Sequence, residues 1–318
     1  MRTGIIAFIT ALALVLPQLA RAQASTQGQN EEDSVFPIIH CAALARMNGW
    51  NTNNASLLCS GADTDAPVQC GMLARSLGWD QSFTSLLCSG AGTEGFALPV
   101  QCATDALAHG WTPDLAALMC SGADSYAPVQ CATAALARGW NPTRTTLLCQ
   151  SASKDAYDLP LLCADAALAA GWDPDLTASL CVIAPSTGYY LPIQCATQSV
   201  AQGWTPIDAT RLCRNATTDA PIRCGLRALS YGWNHTSAAQ LCQNAPQSQF
   251  NTPVDCGLTA LPLSWDFNLA AQLCATAINS DPVRCGIEAM SIVWSANNSA
   301  QLCYGGHLVR RRVTRSML

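Results

Sequence analysis

Apolar and polar positions along this chain define two short helical segments that recur together. In the stretch from Pro128 to Cys149, an alanine- and leucine-rich half follows a proline, which is favoured in the first turn of a helix. Gly139 ends this half, because glycine adopts the left-handed conformation after a helix without steric cost. Asn141 and Pro142 then supply a capping side chain and a proline at the first helical position. The pattern predicts a helix, a very short turn and a second helix.

The hairpin pattern recurs nine times with constant internal spacing. In every unit a tryptophan follows a cysteine by nine residues, and a second cysteine follows nine residues later. Such self-similarity is typical of repeat proteins, whose units bury their apolar faces by stacking on neighbours. The units use all 18 cysteines and all 9 tryptophans. They are Cys41–Trp50–Cys59, Cys70–Trp79–Cys88, Cys102–Trp111–Cys120, Cys131–Trp140–Cys149, Cys163–Trp172–Cys181, Cys195–Trp204–Cys213, Cys224–Trp233–Cys242, Cys256–Trp265–Cys274 and Cys285–Trp294–Cys303.

The spacing predicts a disulfide within each unit. The two cysteines of an antiparallel hairpin lie opposite each other at its open end, and the intervals between units vary where those within units do not. Disulfides need Cα atoms about 5.5–6 Å apart, and small residues four after the first cysteine and four before the second permit this approach. Zinc is the alternative, but the chain has none of the closely spaced cysteine pairs that structural zinc sites favour. We therefore expect nine disulfides and an all-α solenoid of nine disulfide-stapled hairpins, with repeats of 29 or 32 residues.

Two further expectations concern the turns and the chain end. Each tryptophan follows one helix and precedes the next, which predicts that its indole covers the small residues and seals the closed end of the hairpin. Leucines such as Leu136, five residues after the first cysteine, are expected to line the seams between units. Pro262 should shorten its helix, and Ser264 and Val293 replace the stop glycine. The last two units are therefore expected to form a less regular cap.

The chain ends indicate export. Residues 1–22 combine Arg2, an apolar run from Ile5 to Val15 and an Ala20-Arg21-Ala22 cleavage site, as in a secretory signal peptide. We expect a flexible polar leader over 23–36, the repeat domain over 37–303 and a basic tail over 304–318. Disulfides and a signal peptide together predict a secreted or periplasmic protein, and no stretch has the length of a membrane span.

Composition argues against several classes of function. Charged residues make up 12% of the chain and the net charge is -5, so nucleic acid is not an expected partner. No catalytic or phosphate-binding motif is present, and no cysteine is left over as a nucleophile. Asp63 and Asp124 in the connecting loops fit turn formation better than calcium binding. The histidines occupy unrelated positions and predict no metal site: His40, His109, His235 and His307. We expect no enzyme, no cofactor and no metal.

A binding scaffold is the function that remains. Insertions in solenoid loops often mark the binding side, and the longer loops here carry aromatic residues. These candidate partner-binding residues are Phe96, Tyr157, Tyr189, Tyr190 and Phe250. The alternative is that they cover helix ends. We expect a monomer that binds a protein or cell-surface ligand; a carbohydrate-binding protein that uses tryptophans or loop aromatics is the second hypothesis.

Overall fold

The computed structural model describes residues 37–184, 188–292 and 294–304, and within these ranges the fold is entirely helical. The eighteen α-helices are α1 Pro37–Met47, α2 Thr52–Leu58, α3 Ala66–Ser76, α4 Gln81–Cys88, α5 Leu98–Ala108, α6 Pro113–Met119, α7 Ala127–Ala137, α8 Pro142–Cys149, α9 Leu159–Ala169, α10 Pro174–Leu180, α11 Leu191–Ala201, α12 Pro206–Cys213, α13 Ala220–Ser230, α14 His235–Cys242, α15 Thr252–Ala260, α16 Phe267–Cys274, α17 Asp281–Ser291 and α18 Ala296–Leu302. Short 3₁₀ segments lie at Thr93–Gly95, Gln247–Gln249 and Leu261–Leu263. Each odd-numbered helix forms a hairpin with the even-numbered helix that follows it, so the predicted hairpin repeat is confirmed.

The nine disulfides join the predicted cysteine pairs. Their Cα–Cα distances run from 5.5 to 5.8 Å, within the range that a disulfide requires. The small residues between the two helices are fully buried, as at Ala135 and Thr145 in the fourth unit. The close helix approach that the small residues allow therefore accounts for the bridges.

The turns follow the predicted stop and start signals. In the first unit the N–H of Trp50 donates to the carbonyl of Ala45 at 3.1 Å, and the N–H of Gly49 donates to Arg46 at 3.0 Å. This is a Schellman motif, with Gly49 at φ +83°. The predicted cap side chain accepts a backbone N–H in eight units: Asn51, Asp80, Asn141, Asp173, Thr205, Asn234, Asp266 and Ser295. Thr112 makes no cap bond; its side chain hydrogen-bonds Asp114 and lowers the pKa of that carboxyl.

The eighth unit shows the predicted effect of Pro262. Helix α15 has nine residues where the other first helices have eleven, and a 3₁₀ turn follows it. Ser264 takes the stop position of glycine with φ +72°, in the left-handed region. Val293, the other departure from glycine, lies outside the described residues.

The nine hairpins close into a ring. Each even-numbered helix packs against the even-numbered helix of the following unit. Helix α18 of the ninth unit packs against α2 of the first unit in the same way. The contacts repeat in register: the Ser60 hydroxyl donates to the Gln301 carbonyl across the closure at 2.8 Å, as Ser121 donates to Leu86 between the second and third units at 2.6 Å. The expectation that the last units form a cap is therefore wrong, because their outer face is covered by the first unit.

The ring has two faces and a central axis. Even-numbered helices pack more closely with one another than odd-numbered helices do, so they form the inner wall and the odd-numbered helices the outer wall. The tryptophan-bearing turns lie on one side, called the turn face. The disulfides and the connections between units lie on the other side, called the loop face.

The predicted signal peptide (1–22), the leader (23–36) and nearly all of the basic tail (304–318) lie outside the described residues. No helix of the described ranges has the length and apolarity needed to cross a membrane.

Candidate functional site on the turn face

Eight of the nine seams between neighbouring units are of two kinds, and the residue that follows the first cysteine differs between them. The ninth seam, at the ring closure, fits neither kind, because Ala42 follows the first cysteine there and Trp294 is only 5% exposed. Four units carry glycine after the first cysteine: Gly71, Gly225, Gly257 and Gly286. A Cβ added to any of them would lie 2.8–2.9 Å from the indole of the preceding unit. Each glycine therefore makes room for a tryptophan that inserts between two units, and we call these the inserted seams.

The inserted tryptophans are almost fully buried. Trp204 is 2% exposed and stacks edge-on against His235 of the next unit, with ring centroids 4.9 Å apart. Trp233 makes the same contact with Phe267 at 4.9 Å. The buried indole N–H groups have no acceptor among the described residues at Trp50, Trp204, Trp233 and Trp265. These four tryptophans act as packing residues between units, and the seal over the small residues of their own hairpin stays a prediction.

The other kind of seam has alanine after the cysteine and proline at the start of the second helix. Four consecutive seams, from the second to the sixth unit, share this combination, and we call them the open seams. Their pairs are Ala103 with Pro113, Ala132 with Pro142, Ala164 with Pro174, and Ala196 with Pro206. The tryptophans before them are less buried: Trp79, Trp140 and Trp172 remain partly exposed, and Trp111 is 9% exposed. The combination of alanine with proline distinguishes these seams, because Trp294 is only 5% exposed although Ala42 follows the first cysteine of the next unit.

The open seam between the second and third units forms a groove of about 310 Å³. Its walls are the indole of Trp79, the side chains of Leu107 and Pro113, and residues of the preceding turn. Leu107 is the residue expected at the seam; it lies there but remains 36% exposed. The groove is therefore apolar and open to solvent.

The same arrangement extends along the open seams. Arg75 lies over the Trp50 ring at 5.5 Å and Arg46 lies over Trp294 at 5.9 Å, so the residue five after the first cysteine covers the preceding tryptophan. In the third to sixth units this residue is aliphatic and exposed: Leu107, Leu136, Leu168 and Val200. We call these four residues, with Trp79, Trp111, Trp140 and Trp172 and the four prolines of the open seams, the apolar arc.

The arc also carries carboxylate and amide groups at the helix starts. Asp80 lines the Trp79 groove, and its Oδ1 accepts the N–H groups of Ser82 and Phe83 at 2.8 and 2.9 Å. Its Oδ2 makes no hydrogen bond with the described residues. Asp173 caps its helix in the same way beside Trp172. Each open seam next to such a cap can offer an apolar surface and one oriented acceptor to a ligand.

The loop aromatics predicted from sequence lie on the loop face, away from the arc. Phe96, Tyr189 and Phe250 pack against the core, and Arg223 lies 4.4 Å over the Phe250 ring. Tyr157 and Tyr190 are 40% and 47% exposed. Only Tyr189 and Tyr190 contact each other, with centroids 5.9 Å apart. The structure therefore does not gather the five into one site, and a binding role for the two exposed tyrosines stays a prediction.

The three described histidines lie apart from one another. His40 pairs with Asp65 at 3.1 Å, His109 bonds the Asp105 carbonyl at 2.9 Å, and His235 packs on Trp204. His307 lies outside the described residues.

Sequence reasoning grouped all nine tryptophans together and missed the apolar arc. The signal was present at two other positions, since alanine after the first cysteine and proline after the helix cap occur together in four consecutive units.

No protein-family model matches this chain, and a search of curated proteins finds no significant match.

Proposed function

We propose that this protein is a secreted, non-catalytic scaffold that binds a protein or cell-envelope partner through the apolar arc. The nine disulfides indicate an oxidising, extracytoplasmic environment. Together with the predicted signal peptide, they support export of this protein.

The observation that carries the proposal is the continuity of exposed apolar groups over four adjacent open seams. Surface leucines that occur singly need no explanation, but contiguous apolar patches on soluble proteins often mark interaction sites. Leu107, Leu136 and Leu168 repeat at equivalent positions, each beside a tryptophan that its seam leaves less buried. Aromatic anchors of this kind are enriched where binding energy concentrates.

An affinity capture with matched variants tests the proposal. Leu107→Asp and Leu136→Asp place a charge in the arc, whereas Leu226→Asp places one at a comparably exposed leucine of α13, on the outer wall. Capture from extracytoplasmic extract should recover a partner with the wild-type chain and with Leu226→Asp, and lose it with both arc variants. Equal recovery by all four chains would show that the arc is not the binding surface.

Carbohydrate binding is a second candidate, favoured by the pairing of a partly exposed indole with an oriented acceptor at Asp80 or Asp173. Sugars stack on indole faces while carboxylates accept their hydroxyl groups. Oligosaccharides should then quench the emission of the wild-type chain and lose this effect in Trp79→Phe/Trp172→Phe. Quenching that persists in this double variant, or a wild-type chain that no glycan quenches, would remove this candidate.

A further inference from the structure

The inner wall of the ring presents one face of every even-numbered helix to the central axis. Positions in each even-numbered helix are counted from the second cysteine of the unit, which is position 0. The residues at −4 and 0 face the partner helix. Because successive residues are about 100° apart around a helix, the residue at −2 points in the opposite direction. The residues at −6, one turn earlier, are exposed in all nine units, and those at −2 are half-buried in all nine. This repeated gradient defines a central channel that narrows from the turn face toward the loop face.

The channel has room for a small ligand. Nine helix axes spaced about 8–10 Å apart in a closed circle lie about 12–15 Å from its centre. A helix with its side chains has a radius of about 5–6 Å, which leaves a space about 12–18 Å across.

The two sides of the channel differ in character at the −2 position. The first four units carry leucine, and the remaining five carry polar or charged residues. The leucines are Leu57, Leu86, Leu118 and Leu147; the polar residues are Ser179, Arg211, Gln240, Gln272 and Gln301. In a ring of nine, the sixth unit lies opposite the boundary of the first and second, so Arg211 faces the leucine wall across the axis.

A half-buried guanidinium, that of Arg214, lies at the narrow end of the channel, one turn after Arg211. The Nε of Arg214 donates to the Ser179 carbonyl at 3.1 Å, and its Nη2 lies 3.4 Å from the Ser179 hydroxyl. No carboxylate of the described residues lies within 4.0 Å of this group. Burial lowers the pKa of Arg214, although arginine remains charged at neutral pH. Partial burial of a cation without a carboxylate has a desolvation cost, which an anion bound beside it would offset.

Polar side chains complete the narrow end. The Tyr304 hydroxyl accepts from Gln243 Nε2 at 3.2 Å, bridging the ninth and seventh units. Ala275 of the eighth unit, between them, is fully buried. Burial raises the pKa of Tyr304, so its hydroxyl remains neutral near pH 7 and adds no negative charge beside Arg214. The end of the channel therefore keeps a net positive charge.

The acidic residues of the inner wall lie nearer the turn face or are already paired. Asp175 forms an ion pair with Arg144, which lowers the pKa of that carboxyl. Asp208 accepts the Thr205 hydroxyl at 2.9 Å and lies 3.9 Å from Arg211. Asp114, at −6 in the third unit, lies at the wide end of the channel. The charge along the axis thus changes from acidic at the wide end to basic at the narrow end.

We propose that the central channel binds a long-chain carboxylate, with its anionic head at Arg214, one turn from Arg211, and its aliphatic chain against the leucine wall. A half-buried cation opposite four leucines matches an amphiphile with one anionic group and one apolar chain. This site is distinct from the apolar arc and independent of the function proposed for it.

Calorimetric titration of the folded chain with dodecanoate below its micelle concentration tests the proposal. Dodecanoate should bind at one site per ring. Acetate, which has the charge alone, and dodecyltrimethylammonium, which has the opposite charge, should not bind. Binding of the ammonium amphiphile as tight as that of dodecanoate would overturn the proposal.

Variants locate the binding site. Arg214→Gln should weaken dodecanoate binding by about tenfold or more, since a charge-assisted hydrogen bond is lost. Arg223→Gln, on the outer wall, should leave the affinity unchanged. If Arg214→Gln does not form its nine disulfides, Arg211→Gln and Leu118→Gln supply the test, because both residues lie at the half-buried −2 position that faces the channel. Unchanged affinity in every folded channel variant would overturn the proposal.

Leu136→Asp separates this proposal from the function assigned to the apolar arc. Dodecanoate should bind this variant as it binds the wild-type chain. Loss of dodecanoate binding in Leu136→Asp but not in the channel variants would place the ligand on the arc and overturn the channel site, while the scaffold proposal would stand.

Discussion

The residue after the first cysteine influences how the preceding tryptophan packs, but Trp294 is buried next to a unit that carries Ala42 at this position. Burial of an indole removes about 150–250 Å² from water, worth about 4–6 kcal/mol at about 25 cal/mol per Å². An unpaired indole N–H costs about 1–3 kcal/mol, so insertion remains favourable where glycine leaves space. Where alanine and proline occur together, as at Ala103 and Pro113, the indole stays nearer the surface and becomes available to a ligand.

Gly225→Ala tests this relation between the methyl group and the indole. Helix propensity alone would stabilise α13 by about 1 kcal/mol, but the new Cβ would lie 2.8 Å from Trp204 and overpacking costs about 1–3 kcal/mol. We expect the free energy of unfolding, measured with denaturant, to fall by up to about 2 kcal/mol and the tryptophan emission to shift to the red. In a Trp204→Leu background the same substitution should become stabilising. A stabilising effect in the wild-type background would contradict the inserted-seam account.

At the scale of the helical element, the sequence was sufficient to predict the hairpin. A stop residue, a cap and a proline act through local backbone geometry, so their effect can be deduced without the rest of the fold. The disulfide pairing followed because a hairpin of fixed length leaves only one partner opposite each cysteine. The partner of each indole could not be deduced in this way. Trp50 contacts Gly71 of the next unit, and that contact depends on how two hairpins stack.

The left-handed stop position gives a prediction at this scale. Ser264 holds φ +72°, a conformation that costs an L-residue about 1–2 kcal/mol and glycine little. Ser264→Gly should stabilise the ring by about 0.5–1 kcal/mol, the gain being reduced by the greater freedom of glycine in the unfolded chain. Gly139→Ser should destabilise it by a similar amount, because nothing lies within 4 Å of its added Cβ and only the backbone changes energy. Unfolding curves that shift in the same direction for both variants would contradict this account.

At the scale of the whole molecule, closure depends on a wedge shape repeated in every unit. The even-numbered helices have seven or eight residues and buried small side chains, and they pack more closely than the odd-numbered helices outside them. Each unit therefore turns the chain toward the inner wall, and nine units need only about 40° each to complete a circle. The sequence predicts curvature but not its magnitude, since a small error in the turn per unit accumulates over nine units. The open seams and the leucine wall both lie in one part of the circle, so closure sets the polar inner wall opposite the leucines.

A circular permutant tests closure directly. Cys303 would be joined to Pro37 by six residues beginning with Tyr304, the length that connects Cys59 to Ala66, and the chain would be opened within residues 151–157, between α8 and α9. Six residues span at most about 20 Å, so the connection can form without distortion only if the first and ninth units are neighbours. We expect the permutant to form the same nine disulfides and to unfold with a free energy within about 1 kcal/mol of the unpermuted 37–304 chain, since termini that lie close together tolerate permutation. Peptide mapping without reduction and denaturant unfolding provide the two measurements. In an open solenoid the short connection would pull distant units together, and scrambled disulfides or a large loss of stability would then replace the expected result.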